Sequence, residues 1–203
     1  MNLWPRPRQD DHRGRARMIA CSAVGDVVIA LAQRTPAPGG GAAAAIAGAL
    51  GCAAGAMAAR YTSGAKYADR SSQAEALAQA LDKAASDCLR LADDDTEAFA
   101  ELTAARKLKD GPAIAAATAA AAKIPATLVA MCATHAKALA AFIPVSNPHL
   151  VSDVKVGIHL LAGGGRAAWQ TLLVNSIDDA TRRTAAAQLA EIAAAESTAL
   201  GTI

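Results

Sequence analysis

Thr35-Pro36-Ala37-Pro38-Gly39-Gly40-Gly41 leads straight into a stretch built almost wholly of alanine and glycine, Ala42 to Ala59, and this passage decides the fold. The two prolines stiffen the approach, and the three glycines let a backbone pass where side chains would obstruct. The stretch from about Gly41 to Thr62 reads as a helix with hardly any side-chain bulk. Its larger residues, Ile46, Leu50, Met57 and Tyr61, recur at helical spacing. Gly48, Gly51 and Gly55, with Ala44 and Ala59, form a second, nearly bare face. Such a face suits a neighbouring helix at very short range, a ligand laid against backbone, or both, and its gain is dispersion and fit rather than apolar bulk.

The rest of the chain is made of the same material. Of 203 residues 57 are alanine, while Phe, Tyr and Trp number two each. Alanine is the best helix former and a poor strand former, and no alternating run of β-branched residues is present. The expected fold is all-α, a single-domain bundle of long antiparallel helices. Alanine buries little area per residue, so the helices must approach closely, and a homodimer would add the apolar area a monomer lacks.

Further helices are expected on either side. One runs from Ser22, a possible N-cap, to Gln33, and a long one from Ser71 or Ser72 to Leu108. Gly111-Pro112 starts another, which Ile124-Pro125 kinks or restarts. Ser152 is a good N-cap for a fifth, with Asp153 in its first turn, reaching about Val174. Gly163-Gly164-Gly165 weakens that helix by about 1 kcal/mol per glycine, or marks a break or a close contact. Asp178 or Asp179 opens a last helix ending near Ser197.

The formal charge is +2, of which residues 1–17 supply +3 and the remainder −1. Residues 1–20 are therefore expected to be a flexible basic arm and 21–203 the helical domain, with no nucleic-acid partner. Ala42 to Ala59 is long enough for a membrane span but lacks lipid-soluble bulk and ends in Arg60, so it reads as a buried helix. Cys21, Cys52, Cys88 and Cys132 are scattered and read as reduced thiols in a cytoplasmic protein. None of His12, His135, His149 and His159 lies in an HExxH arrangement, and no P-loop or GxSxG motif occurs.

One residue breaks the helical pattern. Leu77, Leu81, Ala84, Cys88, Leu91, Asp95, Ala98 and Leu102 advance by four and three residues alternately, which is a core-facing stripe with a carboxylate in it. A carboxylate there is costly unless it is hydrogen-bonded. It either caps a neighbouring helix or faces solvent where the bundle widens, or it lines a pocket with a raised pKa suited to proton transfer. Lys66, in the turn after the glycine-rich helix, is an ordinary solvated lysine or the positive charge beside Asp95.

Five ordered segments carry a resemblance. They are the Pro/Gly run with its Ala/Gly helix; Gly64-Ala65-Lys66-Tyr67; Asp94-Asp95-Thr96-Glu97-Ala98-Phe99; Ile124-Pro125; and Asn147-Pro148 with Ser152-Asp153-Val154. Together they resemble the cyclodeaminase/cyclohydrolase family, which includes the C-terminal half of formiminotransferase-cyclodeaminase and methenyltetrahydrofolate cyclohydrolases. The chain departs from the family pattern at Ala42, Ser146, Lys155 and Thr171. The resemblance implies a homodimeric enzyme that takes a reduced folate and needs no metal or redox cofactor. It implies Asp95 as the proton-transfer group, with Lys66 orienting it or binding a polar edge of the substrate. Pro38, Gly39, Gly40, Gly41, Tyr67, Asn147, Asp153 and Asn175 are the implied substrate-binding residues. The absence of a fused transferase domain tilts the expected reaction toward hydrolysis of 5,10-methenyltetrahydrofolate to 10-formyltetrahydrofolate. The alternatives are a formiminotetrahydrofolate cyclodeaminase releasing ammonia, or a non-catalytic folate-binding or structural helical protein.

Overall fold

A computed structural model of the protein describes residues 18–201. Most of the expected basic arm, through residue 17, lies outside the described residues. Its last described residues join a short 3-10 turn, Ile19–Cys21, and the Ile19 N–H donates to Asp93 Oδ1 on the long third helix at 2.5 Å.

Six α-helices follow: α1 Val24–Leu31, α2 Gly40–Arg60, α3 Ser71–Leu108, α4 Gly111–Phe142, α5 Val151–Leu173 and α6 Asp179–Gly201. Among the described residues there is no strand. The chain is a single all-α domain of long helices, and short connections between packed neighbours make adjacent pairs run antiparallel. Lys109, at φ 55°, reverses the chain between α3 and α4.

The bare face of α2 meets α5 almost backbone to backbone. A Cβ added at Gly51 would come within 2.9 Å of the Gly157 carbonyl oxygen, and one at Gly164 within 3.0 Å of the Ala44 carbonyl oxygen. Glycines on both helices thus remove the bulk that would hold the axes apart. Three free thiols, Cys52, Cys88 and Cys132, are buried where α2, α3 and α4 converge.

Several helix ends differ from expectation. Ser22 does not cap α1; its hydroxyl donates to the Met18 carbonyl, and Ala23 is the capping position. Ser152 lies inside α5, which begins one residue earlier at Val151 because the Pro148–Leu150 turn already feeds the chain into helical geometry. Pro125 neither ends nor restarts α4, which runs unbroken through it. Gly163 to Gly165 do not break α5, since Gly164 packs on α2 while Gly165 faces Cys132 and Ile192.

The lengths of these helices position the site. Running antiparallel, α2 and α3 set Ala42 beside Asp95, so the residues of α3 beyond Ala98 outrun the start of α2. The α3–α4 hairpin projects past the α2–α5 pair by about three turns. The notch this leaves is bounded by the Pro/Gly loop, the hairpin and the C-terminal end of α5.

Candidate active site

The notch is a cleft of about 450 Å³ whose lining includes Gly39, Gly40, Gly41, Asp95, Phe99 and Asn175. At its base α2 begins without a side-chain cap of its own, because Gly39 occupies the capping position. Asp95 supplies the missing acceptor from α3, its Oδ2 taking a hydrogen bond from the Ala42 N–H at 3.1 Å. A carboxylate is favoured there by the partial positive charge of a helix N-terminus. The two readings of Asp95 are thus compatible, since it caps a neighbouring helix and lines a pocket at once.

Gly41 is what admits the carboxylate. A Cβ at that position would collide with Asp95 Oδ1 and lie 2.5 Å from its Cγ. Burial pushes the Asp95 carboxyl above its ordinary value of 3.8, and the Ala42 N–H, which pulls the other way, does not cancel it. Ala42 itself is fully buried and serves the site through its backbone alone.

The far wall comes from α4 and α5. Pro125 has no N–H to offer the carbonyl four residues before it, so the Ala121 carbonyl loses its helical partner, and both residues line the cleft. Asn175 donates from Nδ2 to the Thr171 carbonyl at 2.9 Å, and Thr171 donates from its hydroxyl to the Ala168 carbonyl at 2.8 Å. Phe99, 44 % exposed, stands at the mouth.

Of the residues expected at the site, Gly39, Gly40, Gly41, Asp95 and Asn175 line this cleft, while Pro38 lies in the adjoining loop and leaves the lining to Pro36 and Ala37. Lys66, Tyr67, Asn147 and Asp153 are not with them. They gather at the opposite end of α2, about 30 Å away for its 21 residues. Within one chain Lys66 therefore does not orient Asp95. It is exposed in the Ala65–Tyr67 turn, its Nζ 5.5 Å from the centroid of the buried Tyr67 ring, whose hydroxyl has no hydrogen-bond partner among the described residues. Asn147 is committed to structure: Nδ2 donates to the Tyr61 carbonyl at 3.0 Å, its N–H donates to Thr62 Oγ1 at 2.9 Å, and Oδ1 accepts the His149 N–H at 3.1 Å. Asp153 accepts a hydrogen bond from the Ser152 hydroxyl at 3.3 Å.

Leu102, Arg106 and Val174 line the cleft without having been singled out from the sequence as site residues. The signal for two of them was present, since Leu102 and Arg106 continue the three-and-four spacing that runs through Asp95. Among the described residues no three His, Cys, Asp or Glu side chains form a cluster able to hold a metal ion.

A half-buried carboxylate with a raised pKa, in a cleft whose other walls are backbone, apolar side chains, Thr171, Asn175 and Arg106, defines the class as an all-helical protein with an acidic group set in a cleft. More narrowly, the chain belongs to the formiminotransferase-cyclodeaminase family, whose model matches residues 23–194. Among solved structures, formiminotetrahydrofolate cyclodeaminase from Thermotoga maritima superposes with a TM-score of 0.82 at 25 % identity, covering 89 % of this chain and 95 % of that one. Comparison with curated proteins found no match. These findings correct the expected reaction. Both fall on cyclodeaminases, so the chain is an enzyme of the cyclodeaminase branch and the cyclohydrolase expectation is withdrawn.

Proposed function

We propose that the protein is a formiminotetrahydrofolate cyclodeaminase, closing 5-formiminotetrahydrofolate to 5,10-methenyltetrahydrofolate with release of ammonia. The observation that carries this is Asp95, held by the Ala42 N–H at the base of the cleft with its carboxyl raised above its ordinary value by burial. The substrate's formimino group is a protonated amidine. N10 adds to its carbon, giving a tetrahedral centre bonded to N5, N10 and an amino group. One proton then has to move from N10 to that amino group, after which the C–N bond to ammonia breaks and the cationic methenyl bridge remains. A single carboxylate whose affinity for a proton burial has raised accepts and returns it in both transfers, and its charge favours the cationic carbon before and after them. Asn175, the Ala121 carbonyl and the backbone at Gly39 to Gly41 offer polar contacts and flat walls suited to a pterin ring.

The proposed enzyme is a homodimer. Leu50, Ala53 and, just past the helix end, Tyr61 form an exposed stripe along α2, with Leu50 and Tyr61 53 % and 63 % exposed, and a second copy would bury this stripe. It is proposed to be cytoplasmic, consistent with four free thiols, and to bind neither nucleic acid nor membrane. Although Gly40–Arg60 and Gly111–Val145 are long and apolar enough to span one, Gly41, Gly48, Gly51 and Gly55 of the first are spent on close contacts with α3, α4 and α5.

The test is to supply the purified protein with 5-formiminotetrahydrofolate and to follow methenyltetrahydrofolate and ammonia together. Equal amounts of both, formed at an enzymatic rate, are expected. Ammonia without the methenyl product, or neither, contradicts the proposal.

A further inference from the structure

The cleft has a direction written in its charges. Among the described residues, Asp95 and Arg106 are the two charged ones in its lining. Both lie on α3, eleven residues apart, which is about 16 Å along the axis. Ala98, Phe99 and Leu102 fall between them at the three-and-four spacing that keeps all five on one face. Along the groove the wall therefore runs from a carboxylate, over an apolar strip, to a guanidinium.

A 5-formiminotetrahydrofolate runs from a cation at the one-carbon unit, through an aryl ring, to the carboxylates of a glutamate. Summed over bonds of about 1.3–1.5 Å, the nearer of those carboxylates lies roughly 10 Å from the one-carbon unit. Helical side chains lean toward the N-terminus of their helix, so the Arg106 guanidinium reaches back toward Asp95 and covers the remaining few ångströms. The opposite orientation would set the dicarboxylate against Asp95 and the amidinium against Arg106. The Arg106 carbonyl accepts the Lys109 N–H at 3.2 Å, while its guanidinium has no hydrogen-bond or ion-pair partner among the described residues, so those donors are available.

We infer that Arg106 binds the glutamate carboxylates of the substrate and so fixes which way the folate lies, with the aryl ring over Phe99 and Leu102 and the one-carbon unit at Asp95. This rests on the cyclodeaminase reading and adds to it the orientation and a specificity residue. Arg106 forms the planar, two-pronged contact that a carboxylate takes up from guanidinium, which lysine reproduces only in part. A cation in the last turn of α3 also favours the helix dipole, but that role is blind to the substrate, and this is what the test exploits.

The experiment compares the full-length wild type with Arg106→Gln and Arg106→Lys on two substrates, 5-formiminotetrahydrofolate and its pteroate counterpart, which lacks the glutamate. Arg106→Gln is expected to raise KM for the folate at least tenfold while kcat stays within about twofold, and to leave KM for the pteroate within about twofold; Arg106→Lys should recover part of the loss. An equal change in KM for both substrates, or none for either, overturns the inference and leaves the cyclodeaminase reading standing. Calorimetric binding of 5-formyltetrahydrofolate to the same three proteins reads the inference without turnover. If the wild type binds that folate but turns nothing over, the proposed reaction falls, and a tenfold weaker affinity in Arg106→Gln still supports the inference, while unchanged affinity overturns it. A wild type that binds no folate overturns both.

Discussion

At its N-terminal end α2 starts on three glycines, has no cap of its own, and takes its acceptor from Asp95 on another helix. At its C-terminal end it runs into Tyr61 and Thr62, where the Thr62 hydroxyl donates to the Ala58 carbonyl and accepts the Asn147 N–H, and the Tyr61 carbonyl accepts Asn147 Nδ2. The first end keeps a carboxylate in a cleft beside a wall of bare backbone. The second spends Asn147 and Thr62 on holding the turn, with Lys66 exposed and the Tyr67 hydroxyl buried without a partner among the described residues. Both ends carry the short polar-and-glycine signatures that mark sites in a sequence, and the difference between them is that the first sets a half-buried carboxylate into a cleft while the second ties Asn147 and Thr62 to neighbouring backbone.

The largest effect expected from breaking this contrast is at Asp95. Asp95→Asn keeps an acceptor for the Ala42 N–H but cannot carry a proton, and should lower kcat by about 10²–10⁴-fold in an ammonia-release assay. Next comes Gly41→Ala. Its methyl group occupies the space of the Asp95 carboxylate, a movable group, so turnover should fall by about tenfold or more while the denaturant midpoint hardly moves. Gly51→Ala is the reverse case. Its methyl group meets the Gly157 carbonyl oxygen and the Leu161 nitrogen, both at 2.9 Å. Backbone cannot step aside, so a loss of about 1–3 kcal/mol in unfolding free energy is expected, read from denaturant melts. At the far end of α2, Asn147→Ala should cost about 1–2 kcal/mol by leaving the Tyr61 carbonyl unpaired. A Gly41→Ala variant that loses stability and keeps its rate would erase the distinction between the two ends.

Much of the fold was legible because alanine and glycine leave few alternatives. The helical class, the bare face of α2 and the carboxylate in the α3 stripe follow from composition and spacing. The grouping of site residues was not legible. Lys66 and Asp95 belong to one ordered series of segments, yet a 21-residue helix separates the turn that holds Lys66 from the cleft. Order along a chain does not say which end of a helix a motif occupies. Arg106 escaped notice for a related reason: a basic residue in a last helical turn is ordinary, and only the overhang of α3 beyond α2 turns that position into the rim of a cleft. Ser152 misled because a good capping residue is superseded when a preceding turn already directs the chain into the helix. The choice between cyclohydrolase and cyclodeaminase was beyond the residues themselves, since both reactions pass through a tetrahedral carbon between the same nitrogens.

The raised pKa of Asp95 also sets a sign for stability. The native state binds this proton more tightly than the unfolded chain, so the site's contribution is fullest below the ordinary value of 3.8 and declines as pH rises through the folded value. Asp95→Asn should therefore be at least as stable as the wild type near neutral pH, the smallest change among these variants, visible in melts repeated across pH.

The pH dependence of ammonia release in wild type and Asp95→Asn tests the central claim most directly. The account predicts a wild-type rate that falls on the acid side with a midpoint above the ordinary aspartate value of 3.8, and a residual Asp95→Asn rate that lacks this limb. An Asp95→Asn enzyme that keeps both the rate and the limb would contradict it.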